Sequence, residues 1–470
     1  MTVNKDATAL AADLAAGALS ARDLTETAIA AIEAKDGAIN AVVVRDFDRA
    51  RRAAVQADKR LAAGERLPLL GVPVTIKESF DTAGLPTCWG LEAFRHAIAT
   101  EDAVVVGRLR AAGAIILGKT NVSEGLSGWN ATNAVYGRTD NPLAPGHTPG
   151  GSSSGAAAAI AAGLSALDIG SDLGGSIRGP AHFCGIFGHN STAGLLPLRG
   201  HVLAGRKARL DMSAPGPMAN SARDLALGLS IMAGPDLDEA TGYRLALPPA
   251  RHDTVSDFRV LVLPEHPLVP TEACVRQAVE TFALALARRG ASVQSAIGII
   301  PDPAESASIY MALLGGALGL GQTAEAAEQG RAKVAALLPE DQSISAMRLR
   351  ASVISHADWL VANEARVKLR WAWRELFKSY DAVICPPTSV PALTHADAAT
   401  THIEVDGQTI DAGDTVAWAS LATAAGLPAT VMPVGKTPDG RPLGVQIIGP
   451  YLEDYTPIRL AELMSPAEAN

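Results

Sequence analysis

Apolar residues fall at helical spacing through residues 6–63, at Leu10, Leu14, Leu24, Ile29 and Ile32, and Ser20 followed by Asp23 supplies a capping pattern. The pattern changes at Val72–Ile76, a continuous apolar run short enough for a strand, which Lys77 closes. A turn-rich segment, Asp81 to Gly90, precedes a helix capped at Thr100 and running to Ala112, and Ala114–Leu117 are again β-prone. An alanine-rich run, Ser154 to Gly163, reads as a helix and Ser165 to Ile169 as a short strand. From Ser221 onward helices and strands alternate: helix 221–233, with Ser221 and Asp224 at its start, strand 258–263, helix 271–289 and a strand near 292. A mostly helical region follows at 303–376, then strand Ala382–Cys385, helix 414–425, and strands Ala429–Val434 and Gly444–Ile448 joined by a Pro-Asp-Gly turn at Pro438–Gly440. Such alternation predicts an α/β fold, an α/β/α sandwich around a mixed, largely parallel central sheet covered on both faces. No repeat, low-complexity linker or charge run divides the chain, so residues 1–470 read as a single domain with a helical scaffold at 1–63, which also offers an oligomer surface.

Composition narrows the class. Forty-four glycines, 29 prolines and 48% hydrophobic residues in 470 positions describe an ordered, loop-rich protein with a large core. Lys and Arg total 40 against 49 Asp and Glu, and a formal charge of -9 disfavours nucleic acid as a partner. The start, MTVNKDATAL, has no signal-peptide pattern, and the longest apolar runs, Ala156–Leu167 and Tyr310–Leu320, fall short of the roughly 20 residues of a spanning helix. Cys88, Cys184, Cys274 and Cys385 lie far apart with no CxxC spacing, which fits a reducing compartment better than disulfides or zinc. A cytoplasmic protein without a transmembrane segment is expected.

The chemistry concentrates in Pro149–Ala181, PGGSSSGAAAAIAAGLSALDIGSDLGGSIRGPA, where Ser152 and Ser176 sit in glycine-rich settings 24 positions apart. A serine attacks a carbonyl well only when a base takes its proton and fixed donors meet the oxyanion, and adjacent glycines let backbone N–H groups approach a ligand. Lys77 is the candidate base, provided burial depresses its pKa. Two motif matches are set aside. GAIILGKT, Gly113–Thr120, fits the phosphate-loop letters, yet its middle is itself β-prone and no strand precedes it. Gly151, Ser153 and Gly155 fit the nucleophile elbow, but NPLAPGHTPG before them is loop, not strand. His182, His189 and His201 follow Ser176 closely and invite a serine–histidine arrangement; lone histidines near apolar helices are more often satisfied core or surface residues than catalytic ones.

These segments in this order resemble the amidase signature family, from GVPVTIKESF through GAIILGKTNVSEG and GGSSSG to GLPATVMPVGKTPDGRPLGVQIIGP. The resemblance implies Ser176 as nucleophile, Ser152 as a bridging serine in a cis peptide bond, and Lys77 as the base at the end of a relay. It implies oxyanion donors at the backbone N–H groups of Leu173, Gly174, Gly175 and Ser176, with Ser153 supporting the site by hydrogen bonding and Asp172 and Arg178 holding the loop by an ion pair. Ser154 only caps a helix. Where relatives usually read Lys-Pro-Thr, this chain has His189-Asn190-Ser191-Thr192, so substrate transfer from any one relative is not implied. Trp129, Cys184, the loop Gly200–Leu210, the segment Tyr310–Leu320 and Trp418 are pocket candidates. The implied protein is an amide hydrolase acting on a small carboxamide or an aryl or alkyl amide, a homodimer, with no metal and no organic cofactor. A glutaminase subunit of a tRNA-dependent amidotransferase shares the motifs, and a non-catalytic binding member of the same fold is the third reading.

Overall fold

Short runs of branched aliphatic residues build an eight-stranded sheet that is covered on both faces. The computed structural model describes residues 6–319 and 322–465; the opening MTVNK and Leu320, the end of the apolar run from Tyr310, lie outside the described residues. The strand order is Ser292–Ser295, Arg259–Val262, Ala382–Cys385, Pro442–Ile448, Ala429–Lys436, Phe187–Asn190, Ala214–Ala219 and Leu167–Asp172. Successive strand residues alternate between two hydrophobic clusters. Val260, Val262, Ile384 and Ile447 join one, with Leu225, Val279 and Phe282 from helices Ala222–Met232 and Ala273–Arg288. Leu261, Val383, Cys385 and Ile448 join the other, with Tyr310, Trp373 and Leu421 from helices Pro303–Leu318, His356–Leu376 and Ala417–Thr423. The period of two along each strand is what places one apolar set against each helical layer.

The mixed α/β sandwich is present, but the strands are less parallel than their alternation with helices predicts. Arg259–Val262 runs parallel to each of its two neighbours. The remaining pairings in this sheet are antiparallel. One reason is local: the turn through Pro438–Gly440, closed by Thr437 N–H to Arg441 O at 2.8 Å, is too short for a crossover and forces a hairpin.

A second sheet of three strands carries Lys77. Ile115–Thr120 lies between Val42–Arg45, antiparallel, and Pro73–Lys77, parallel. The parallel pair is connected through helix Val104–Ala111, a crossover of the usual kind. Val42–Arg45 corrects the all-helical reading of residues 6–63: helices Ala7–Ala15, Ala21–Ile39 and Phe47–Ala62 are interrupted by this β-branched run. The capping pattern at Ser20 is real, its Oγ accepting from Asp23 N–H at 3.0 Å. Thr100 is no cap; the helix begins at Val104 after Ala103, with no side-chain cap. The described residues of 303–376 form four helices, Pro303–Leu318, Ala324–Ala335, Ile344–Ala351 and His356–Leu376. Among the described residues no helix is long and apolar enough to cross a membrane.

Candidate active site

Three chain segments meet where the two sheets adjoin: the end of Pro73–Lys77, the loop entering helix Ser154–Ala161, and the end of Leu167–Asp172. Every residue of Pro73–Lys77 is buried, so the apolar run draws the lysine at its end into the interior. Asp168 ties the two sheets there, its Oδ2 accepting from Thr75 Oγ1 at 2.6 Å and Thr120 Oγ1 at 3.0 Å.

The Lys77 amine lies 2.9 Å from each of three hydroxyls, those of Ser152, Ser153 and Ser171, and 3.4 Å from the Ser171 carbonyl. Burial pushes its pKa down to about 7, against the pull of the Asp172 and Asp168 carboxylates. Among the described residues no carboxylate bonds to it. A neutral amine has two N–H donors and one lone pair, so among three hydroxyl neighbours one can donate to nitrogen while two accept. Ser153 has an acceptor of its own in the Ser171 carbonyl at 3.5 Å, which leaves its oxygen to receive from Lys77. The Ser152 hydroxyl has no other partner among the described residues and is free to donate to the amine. The peptide bond between Gly151 and Ser152 is cis.

Ser176 lies on the neighbouring loop, partly exposed, and its carbonyl accepts from Ser153 N–H at 3.2 Å, joining the two serine loops. Its hydroxyl forms no hydrogen bond with another described residue. Asp172 organises the loop around it: Oδ1 accepts from Gly175 N–H at 2.8 Å, and Oδ2 from Ile177 N–H at 3.0 Å and Arg178 N–H at 3.3 Å. The N–H groups of Ile177 and Arg178, at the start of the helix Arg178–Cys184 that follows Ser176, thus meet a carboxylate of the chain itself. The Arg178 guanidinium forks onto Asp172 at 2.8 and 3.0 Å, both side chains fully buried, and reaches Gln446 Oε1 at 2.8 Å and Thr423 Oγ1 at 2.7 Å. Although burial works the other way, Arg178 holds the Asp172 carboxyl below its ordinary range. Gly175 is therefore a poor oxyanion donor here, its N–H being engaged; those of Leu173, Gly174 and Ser176 have no partner among the described residues.

The histidines stand apart from Ser176. His182 Nδ1 accepts from Gly444 N–H at 2.7 Å, and burial pushes its pKa down to about 4. His189 on strand Phe187–Asn190 bonds Thr430 Oγ1 at 2.9 Å and Asp454 Oδ1 at 3.1 Å. His201 faces Ser79 Oγ at 3.1 Å. The phosphate-loop match is largely a strand, Ile115–Thr120, with the Lys119 amine buried against Pro86 O and Thr87 Oγ1. Of the pocket candidates, Cys184 and Trp418 are fully buried core residues, the Trp418 indole N–H bonded to Thr271 Oγ1 at 3.0 Å, and they line no open surface. Trp129 is half-buried, edge-on to Phe183 at 5.5 Å. Tyr310 is buried with its hydroxyl donating to Leu173 O at 3.1 Å, against the loop that carries Ser176. Gly200–Leu210 is largely exposed loop. Sequence reasoning missed Ser171 and Asp168; both stand in the strand before Ser176, and the polar positions of that otherwise apolar strand were the available signal.

A family model described as Amidase matches residues 23–457. A glutamyl-tRNA(Gln) amidotransferase subunit of Koribacter versatilis is 32% identical, with 99% of each chain covered. The acylamidase of Rhodococcus erythropolis is 33% identical over 97% of this chain and 94% of its own. A solved structure, described as a vestigial protein complex revealing the evolutionary origins of an s-triazine catabolic enzyme, matches with a TM-score of 0.81 at 32% identity over 98% of both chains. Fold and relatives together define an amide C–N hydrolase. Within that class, the chain belongs to the amidase signature family.

Proposed function

We propose that Ser176 attacks the carbonyl carbon of a small carboxamide or an aryl or alkyl amide, its proton passing through Ser152 to neutral Lys77. The Oγ–C bond forms as the carbonyl electrons move onto oxygen, where the N–H groups of Leu173, Gly174 and Ser176 receive the charge. Collapse breaks the C–N bond, the relay returns the proton to the leaving amine, and water hydrolyses the acyl-enzyme. The observation that carries this reading is the Lys77 amine, buried, near pKa 7 and 2.9 Å from Ser152 Oγ. A non-catalytic binding protein would have no use for an amine brought near pKa 7 among three hydroxyls. The test is turnover on a panel of amides: Ser176→Ala abolishes it and Lys77→Ala nearly does, whereas full activity in either variant overturns the assignment.

The similarity to a glutamyl-tRNA(Gln) amidotransferase component supports a second reading, a glutaminase that works with partner chains. It predicts ammonia release from glutamine and little from other amides. The first reading carries with it a cytoplasmic homodimer, which light scattering on the isolated chain tests.

A further inference from the structure

We infer that Tyr310 is a positioning residue of the oxyanion loop, its hydroxyl setting the Leu173–Gly174 peptide so that the Gly174 N–H faces the reacting oxygen. The inference rests on Ser176 being the nucleophile. Tyr310 stands on helix Pro303–Leu318, fully buried, and donates to Leu173 O at 3.1 Å. A methyl group placed on Gly174 would lie 2.9 Å from that hydroxyl oxygen and 3.1 Å from Val416 Cγ2, so the phenol rests against this peptide and a side chain at 174 would crowd it.

The Leu173 carbonyl and the Gly174 N–H belong to one planar amide, so a bond that fixes the first aims the second. The same bond polarises the amide and strengthens its N–H as a donor. The following part of the loop is held from another side, by Asp172 on the N–H groups of Gly175, Ile177 and Arg178. Leu173 and Gly174 have no such anchor: neither N–H has a partner among the described residues, and the Tyr310 hydroxyl is what holds their shared peptide. Burial raises the phenol pKa well above its ordinary value, so the group stays a donor across the working range. A helix of the 303–376 region thereby acts on the oxyanion site through one hydroxyl.

The experiment is the phosphonylation of Ser176 by a fluorophosphonate, in which the Oγ proton passes through Ser152 to Lys77, Oγ–P forms, P–F breaks and fluoride leaves while the phosphoryl oxygen gathers charge. Inactivation is resolved into KI and kinact for the wild-type protein and Tyr310→Phe, which keeps the ring and removes only the hydroxyl. The expected result is a kinact about five- to tenfold lower, the scale of one lost neutral hydrogen bond, with KI unchanged, the adduct still on Ser176 and the melting temperature held. An unchanged kinact overturns the inference, and so does a parallel collapse of kinact, KI and melting temperature, which marks a purely structural residue. No adduct on Ser176 in the wild-type protein overturns the nucleophile assignment and this inference with it, an outcome read from the wild-type arm alone.

Discussion

Lys77 Nζ and Ser152 Oγ stand 2.9 Å apart in a site where no carboxylate of the described residues bonds to the amine. The amine must be neutral to accept a proton, and burial brings its pKa to about 7. The sign follows: below that pH the base is protonated and idle, above it the base is free. The value of kcat/KM should therefore rise with pH through about 7 and level off above it. A profile recorded from pH 5 to 9 that is flat through neutrality contradicts the assignment of Lys77 as base.

Asp172 and Arg178 form a fully buried, forked ion pair. Asp172→Ala leaves the guanidinium buried without its counter-charge and should cost about 3–5 kcal/mol in urea unfolding. The double variant Asp172→Leu, Arg178→Met should recover much of that stability. Turnover should stay lost in it, because Asp172 also holds the Gly175 and Ile177 N–H groups in place.

Gly151 has no room for a side chain: a methyl there would lie 2.3 Å from both Gly128 O and Ser123 Oγ. Gly151→Ala should displace the neighbouring Ser152 and lower kcat by about 100-fold, the scale of an ångström of misplacement in a catalytic array. Steady-state kinetics beside a thermal melt separate this local effect from unfolding.

His189 is a structural residue of its strand. Thr430 and Asp454 satisfy its two ring nitrogens, and Asp454 also accepts from Thr192 N–H at 2.8 Å and Thr192 Oγ1 at 2.6 Å. His189→Ala strands buried partners and should cost about 1–3 kcal/mol of unfolding free energy while kcat falls less than threefold. A large fall in kcat with stability intact would give His189 a catalytic part that its position does not suggest.

The apolar run before Lys77 and the glycine-flanked serines were legible in the sequence because each signal is local: a lysine ending a strand, and turns that need small residues. The strand Val42–Arg45 was not, since four residues between helices pair only through a partner more than seventy positions away. The parallel character of the sheet was overread for a similar reason, because helix alternation gives no strand direction once hairpins intervene. Trp418 and Cys184 carried the side-chain types of a pocket, yet burial is decided by packing across the chain and put both in the core. The contact of Tyr310 with Leu173 spans 137 positions, and no spacing rule reaches that far.

Activation of the Ser176 hydroxyl is read by intact-protein mass spectrometry after exposure to a fluorophosphonate or sulfonyl fluoride. A single adduct, mapped to Ser176 by peptide analysis and absent in Ser176→Ala, is the expected result. A folded wild-type protein that gains no adduct, or gains one elsewhere, would contradict it.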